Sequence, residues 1–337
     1  MRRFLVIFLS GFIGLSALVT DSVIPALDHY EVVANLDQKK YASGQWEEIV
    51  AALDRVPERL RVMSYNMLMD AYEWRLPRVN RWRERRPRVA ELIQHDRPDL
   101  ICSQELYANQ VDELIELIAP GYTFFGVGEK DGKRKGQHNG IFYRPDRLEL
   151  IEGRVLWMSE TPETPSPSPV DPKPRQLTVC HFRDRLTGRE FVAMNTHLRF
   201  NNPDSRAYCA RFIADLAAKQ SLPVLVAGDM NTFPNRPANT ALPFYDGPYI
   251  ERLITETVLT DSADVAVAGH FGPLSTFTSA PDDPLPTPFR GTGKPGVILD
   301  HIYVTEGVTV LAYAVEPAKI DGHFPSDHLP VVVDLVL

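Results

Sequence analysis

The chain has 337 residues, 44% hydrophobic and 24% charged, which suits one large soluble domain or two small ones with ample material for a core. Its formal net charge of −8 excludes the general attraction for nucleic acid or anionic membrane that a basic chain has. Three widely spaced cysteines, Cys102, Cys180 and Cys209, are too few for an exported disulfide scaffold, and the first two sit in strand-like runs as small apolar side chains.

Arg2 and Arg3 precede an apolar run over residues 4–19, too short for a comfortable bilayer crossing, and polar sequence begins at Thr20. The pattern predicts export. Residues 1–22 are then a signal peptide or, because no small-x-small cleavage site follows, an N-terminal membrane anchor. Residues 23–59 read as a spacer with a helix around 45–53, and residues 60–337 as the main domain.

Leu60–Asn66 alternates as a strand and ends in Asn66. An arginine-rich loop follows, and Pro87 suits the first turn of a helix with Val89, Leu92 and Ile93 on its buried stripe. That helix stops before Arg97-Pro98. Residues 99–104 form an apolar strand closed by Glu105, and residues 108–119 a second helix. Strands are expected over residues 122–127, 139–143 and 148–157. The proline-rich stretch 161–174 admits neither helix nor ladder and reads as an irregular loop. A hairpin over 176–184 and 190–196 ends in Asn195-Thr196-His197, and residues 205–219 are helical.

The stretch 221–234, SLPVLVAGDMNTFP, is central. Its apolar run suits a buried strand, Gly228 turns the backbone without a side chain, and Asp229 and Asn231 follow two residues apart. Asp and Asn there also suit an Asx-type turn. A helix over 249–258, a loop-rich segment to 295, a strand over 297–304 containing Asp300, and a last strand preceded by Ser326-Asp327-His328 complete the chain.

Strand-end Asn and Asp are common as ladder terminators, and a lone His is usually a satisfied structural residue. Here, though, Asn66, Glu105, Asn195 with His197, and Asp229 with Asn231 all close separate apolar strands. Asp300 and Asp327-His328 add the carboxylates and imidazole of an acid–base site. A carboxylate and a carboxamide so placed can hold a hard cation or a water and orient a phosphate oxygen. His301 lies beside Asp300 in a strand and so points to the opposite face, for packing.

In order, SYN, SQE, NTH, GDMN, LDHI and PSDH resemble the endonuclease/exonuclease/phosphatase superfamily over most of the chain from Arg61, with WRERRP, GIFYRPDRLEL and LWMSETPE as marks of its bacterial members. The resemblance implies a deoxyribonuclease I-like α/β fold, a four-layer sandwich of two packed mixed β-sheets flanked by helices. It implies divalent-metal-dependent phosphoester hydrolysis by an in-line water. Glu105 would be the main metal ligand with Asn66 beside it, and Asp327 a metal-linked or supporting carboxylate. Asp229 would orient or deprotonate the water, and Asn231 would hold it or a phosphate oxygen. Asp300 would pair with His328, which contacts the phosphate, while His197 faces it with Asn195 nearby. Arg175 would reach a substrate phosphate. Mg²⁺ or Mn²⁺ suits so sparse a set of hard oxygen ligands, and the histidines lack zinc-ligand spacing.

The expected function is therefore a metal-dependent phosphatase or phosphodiesterase, acting as a monomer on a small or single-stranded phosphoester. With 44 acidic against 36 basic residues, the chain has few of the cations that track a duplex. Two alternatives stand: a secreted deoxyribonuclease, and an exported binding protein that keeps the fold without catalysis.

Overall fold

The computed structural model describes residues 43–232, 247–273, 275–278 and 298–337. The expected leader, residues 23–42 of the expected spacer, and residues 274 and 279–295 of the loop-rich segment lie outside them. Helix α1 (Ser43–Leu53) is followed by strand β1 (Leu60–Asn66), helix α2 (Trp82–Asp96), β2 (Leu100–Gln104), α3 (Ala108–Ile118), β3 (Thr123–Phe125) and β4 (Ile141–Tyr143). Then come β5 (Leu148–Trp157), β6 (Gln176–Asp184), β7 (Glu190–His197), α4 (Pro203–Ala218), β8 (Val224–Asp229), α5 (Gly247–Thr255), β9 (Leu259–Asp261) and the short α6 (Ser262–Val265). Strands β10 (His270–Phe271), β11 (Asp300–Thr305), β12 (Thr309–Val315) and β13 (Val331–Val336) close the chain.

These strands make two mixed sheets, in the order β10-β12-β13-β1-β2-β4-β3 and β5-β6-β7-β8-β11-β9. Each sheet is centred on a parallel pair, β1 with β2 and β7 with β8, and the first sheet has a second, short one at its edge, β10 with β12. A parallel pair needs a long crossover, and helices α2 and α4 supply those of the two central pairs. An antiparallel strand then flanks each pair: β13 beside β1 and β11 beside β8. The C-terminal ends of β1, β2, β7 and β8 therefore meet the N-terminal ends of β11 and β13 at one edge of the molecule.

The period of two along each strand sorts its residues between layers. Leu60 and Val62, Leu100 and Cys102, Phe191 and Ala193, Leu225 and Ala227, and Ile302 and Val304 pack between the sheets. Met63, Tyr65 and Ile101 face helices α1, α2 and α3 on one outer side, and Val192, Met194, Val224 and Val226 face α4 and α5 on the other. This is the expected four-layer sandwich. Gly228 is required where β8 crosses β7, because a Cβ there would stand 2.2 Å from the Thr196 carbonyl oxygen. All three cysteines are free and buried.

Three expectations need correction. Ile49 and Leu53 of α1, with Val56, belong to the outer core under the first sheet, so the packed body extends N-terminal of residue 60 into the expected spacer. Helix α2 begins at Trp82 and carries Pro87 inside it. Proline near the start of a helix forfeits one bond to the preceding turn, and the buried Trp82 and Arg85 anchor that turn instead. Strand β12 was not expected; its unbroken buried run lacks the alternation that marks half-exposed strands.

On the outer face of β11, buried His301 donates through Nδ1 to Asp261 Oδ2 at 2.7 Å. Burial alone would lower the His301 pKa, but the charge and hydrogen bond of Asp261 raise it on balance. A raised folded pKa gives stability that is complete below the unfolded value of about 6.5 and is lost as pH climbs through the folded value. His301→Gln should therefore cost about 1–3 kcal/mol at pH 5.5. Its thermal midpoint should approach that of the wild type by pH 9. An equal gap at both values would show the pair to be neutral.

Candidate active site

The inner-face residues that pack between the sheets give way to polar ones at the shared edge. Continuing the same period of two, β1 ends in Asn66, β2 in Gln104, β7 in Asn195 and His197, β8 in Asp229, and β11 begins with Asp300. Asp229 and Asp300 are direct register partners across β8 and β11. His328 arrives from the loop just before β13.

These groups are bonded to one another across the two sheets. Asn66 Nδ2 donates to Asp229 Oδ2 at 3.0 Å, and the Asn231 backbone N–H donates to Asp229 Oδ1 at 2.9 Å, the Asx turn. His328 Nδ1 lies 2.8 Å from Asp300 Oδ2, and its Nε2 faces Asp229 Oδ2 at 3.8 Å. Thr276 Oγ1 accepts from the Leu299 and Asp300 backbone N–H groups and fixes the start of β11. Ser326 Oγ donates to the Asn66 carbonyl at 2.7 Å, tying the Ser326-Asp327-His328 loop to the end of β1.

The two histidines are pushed in opposite directions. Burial alone would lower the His328 pKa, yet Asp300 and Asp229 raise it well above its ordinary value, so His328 is an imidazolium. His197 is pushed well below by burial and then by the charges of Arg175, His328 and Arg199. Asn231 Nδ2 donates to the Leu198 carbonyl at 3.0 Å and lies 2.9 Å from His197 Nε2, so that nitrogen is the acceptor of a neutral ring. Asp229 is pushed up to about 7, first by burial, while His328 opposes the rise and Asp300 adds to it. A carboxyl poised near neutrality can hold or release a proton at working pH.

Glu105 stands on the other bank. It takes a left-handed φ of 71° just after β2, with its backbone N–H donated to Asn139 Oδ1 and its Oε2 accepting from the Met69 N–H at 3.1 Å. Burial and then the charge of Asp327 raise its pKa. Asp327 is half-buried, and its Oδ1 lies 3.3 Å from the Ser326 hydroxyl.

Two expected residues have other duties. Asn195 is not placed to meet a substrate: its side chain accepts from Gln104 Nε2 and donates to the Ser103 and Gly140 carbonyls, each at 2.8 Å. It bridges the two sheets beneath the cleft floor. Arg175 sits behind His197, donating through Nη1 to the His197 carbonyl at 3.3 Å, and is 8% exposed. The sequence reading missed Gln104, Asn139, Thr276, Ser326 and Arg199, of which Gln104 and Ser326 lie inside motifs that were singled out, SQE and PSDH.

Residues 63–328 match the sequence profile of the Endonuclease/Exonuclease/phosphatase family, most of the chain. The chain belongs to this family. An endonuclease/exonuclease/phosphatase family protein from Bacteroides thetaiotaomicron has the same fold at a TM-score of 0.71 and 28% identity, over 83% of this chain and 98% of that one. A mannosyl-6-phosphatase of the same organism superposes at 0.68 with 29% identity, over 82% of this chain and 100% of that one. An uncharacterised protein of Acanthamoeba polyphaga mimivirus is 25% identical over 81% of this chain and 99% of its own length. The family and its neighbours are hydrolases acting on phosphoester bonds.

Such family members typically use a divalent metal. Among the described His, Cys, Asp and Glu side chains, one group of three has its ligand atoms within 4.8 Å of one another: Asp229, Asp300 and His328. Within it His328 Nδ1 is bonded to Asp300, the pairing of an acid–base unit. The expected ligands Glu105 and Asp327 stand outside it. They still fit a hard cation. Glu105, whose ionisation is opposed by burial and then by the charge of Asp327, is an oxygen donor in need of a positive charge, and Asp327 supplies a second carboxylate.

If Asp300 acts only through His328, the two should behave as one unit. His328→Ala and Asp300→Ala should each lower kcat roughly a hundredfold or more, and the double variant should lose little beyond the worse single one. Losses that multiply would refute the pairing.

Proposed function

We propose that this protein is a divalent-metal-dependent phosphoester hydrolase whose nucleophile is a water activated by Asp229. The observation that carries the reading is the Asp300–His328–Asp229 constellation, a buried imidazolium facing a carboxyl near neutral pKa, with Asn66 bonded to the same carboxyl. Glu105, Asn66 and Asp327 would hold Mg²⁺ or Mn²⁺. When bound, the metal would supply positive charge against the phosphate.

The chain's own residues do the rest. Asp229 is held by Asn66 and the Asn231 N–H with one oxygen toward His328, so it can take the proton of a water attacking phosphorus from that side. As the water oxygen bonds to phosphorus, the ester oxygen departs and is protonated by solvent. His328 presents its charged Nε2 to the non-bridging oxygens, and Asp300 keeps the ring in that orientation. His197, neutral and fixed by Asn231, lines the opposite wall.

The reading favours small or single-stranded phosphoesters over duplex DNA. Much of the arginine-rich segment is spent inside the fold: Arg85 donates to four backbone carbonyls and Arg86 pairs with Glu113 at 2.6 Å. That leaves few cations to follow a duplex backbone. One structural relative is a mannosyl-6-phosphatase, so sugar monophosphates belong among the substrates tried.

Purified protein with Mg²⁺ or Mn²⁺ should hydrolyse at least one of sugar phosphates, inositol phosphates, phospholipid head groups or single-stranded oligonucleotides, and a chelator should abolish turnover. Glu105→Ala and Asp229→Asn should each lose at least about a hundredfold in kcat with unchanged folding. Wild-type rates in either variant would overturn these roles, and efficient plasmid degradation with no activity on the rest would make it a deoxyribonuclease. We further propose that residues 1–22 direct export. A reporter active only after export, fused to residues 1–40, should become active, and one left inert in the cytoplasm would refute this.

A further inference from the structure

The loop between β1 and α2 forms one rim of the cleft, since the Met69 N–H is bonded to Glu105. Three residues on, the chain exposes Tyr72 at 67% and Trp74 at 68% of their surfaces. Two large aromatic side chains left so open on one short loop are unusual away from a binding surface. The Arg75 guanidinium lies over both, 5.5 Å from the Tyr72 ring centre and 4.8 Å from that of Trp74.

Holding the loop in place does not account for these rings. The loop is anchored elsewhere, by the Asp70 N–H on Gln110, by Asn109 on Asp70, by the Trp82 N–H on Glu73 Oε2, and by Arg85 on the Met67 and Leu68 carbonyls. Nor are they remote from the chemistry. At most about 3.6 Å per residue, the Tyr72 Cα lies within about 11 Å of that of Met69, and the Trp74 Cα within about 18 Å.

We propose that Tyr72, Trp74 and Arg75 form a stacking subsite for a nucleobase of a single-stranded substrate, next to the scissile phosphate. The term scissile rests on the phosphoesterase reading; the stacking does not. Base–aromatic stacking tolerates any sequence, and interleaved arginine adds both cation–π contact and a phosphate partner. The cation also decides between the two kinds of flat ligand. An aromatic ring with a guanidinium on one face is less electron-rich on the other, which disfavours the C–H groups of a pyranose and favours the π-face of a base.

The test measures binding in the presence of a chelator, so that it is independent of turnover. A fluorescently labelled short oligodeoxyadenylate is titrated with the full chain and followed by anisotropy. Trp74→Ala and Tyr72→Ala should each weaken binding about 5- to 150-fold, and Arg75→Ala should also flatten the salt dependence. Trp82 and Trp157 are buried, so loss of Trp74 should also reduce quenching of the protein's emission by the oligonucleotide. All three side chains are exposed, and circular dichroism should show unchanged folding. Binding by Trp74→Ala within about twofold of wild type would overturn the subsite. So would mannose 6-phosphate displacing the oligonucleotide from wild type but not from Trp74→Ala, since the rings would then hold a pyranose. Failure of the phosphoesterase reading would appear as absent hydrolysis with this binding intact.

Discussion

Two sheets can pack face to face only while the side chains between them are apolar, and here every strand that reaches the cleft changes character at the same depth. The layer just below the cleft is where that change must be made without leaving polar groups stranded. Asn195 makes it, joining Gln104 and two carbonyls of the first sheet to β7 of the second. A buried amide or carbonyl without a partner costs about 1–3 kcal/mol, and Asn195 meets that cost for the Gln104 amide N–H and the Ser103 and Gly140 carbonyls, while Gln104 Oε1 stays buried without a partner.

A second constraint acts from the side. Arg85 is fully buried and donates to the carbonyls of Asn80, Met67, Leu68 and Pro325. The first three lie on the loop after Asn66, and the last on the loop that carries His328. One guanidinium thus sets the spacing between a group expected to meet the metal and one expected to meet the phosphate. Its charge is buried at a cost, and burial lowers its pKa. Four oriented carbonyl dipoles answer that cost, and an uncharged residue of similar size could not hold four acceptors in that fork.

The strand ends were legible because a period-two pattern reports which face a residue is on, and the change from apolar to polar reports where the sheet stops. Asn66, Glu105, His197 and Asp229 were read that way, whereas Asp300 and His328 were singled out as the carboxylate and imidazole of an acid–base site, and β5 and β6 were placed to the residue. The same logic could not separate a cleft residue from one just beneath it. Asn195 and His197 are both inner-face residues of β7, and only the depth of the opposing sheet decides that one is sealed and the other lines the site. Arg85 was hidden among seven loop and helix arginines, because a buried guanidinium satisfied by backbone carbonyls leaves no partner in the sequence. Thr276 and Asn139 act from loops, through hydrogen bonds to backbone N–H groups, where periodicity carries no signal.

The contacts that define the site also cross the interface between the sheets. Asn66 belongs to the first sheet and Asp229 to the second; His328 precedes a strand of the first and Asp300 begins one of the second. Each half alone therefore has only part of an acid–base unit, and the registration of one sheet on the other sets the remainder. The aromatic stack of Tyr143, Phe182 and Phe191 lies between the sheets, with ring centres 5.0 and 5.7 Å apart. Because interiors are close-packed, a shift there is transmitted and not absorbed. The distance from His328 to Asp229 is thus a property of the whole sandwich, and the site's geometry is as rigid as the core beneath it.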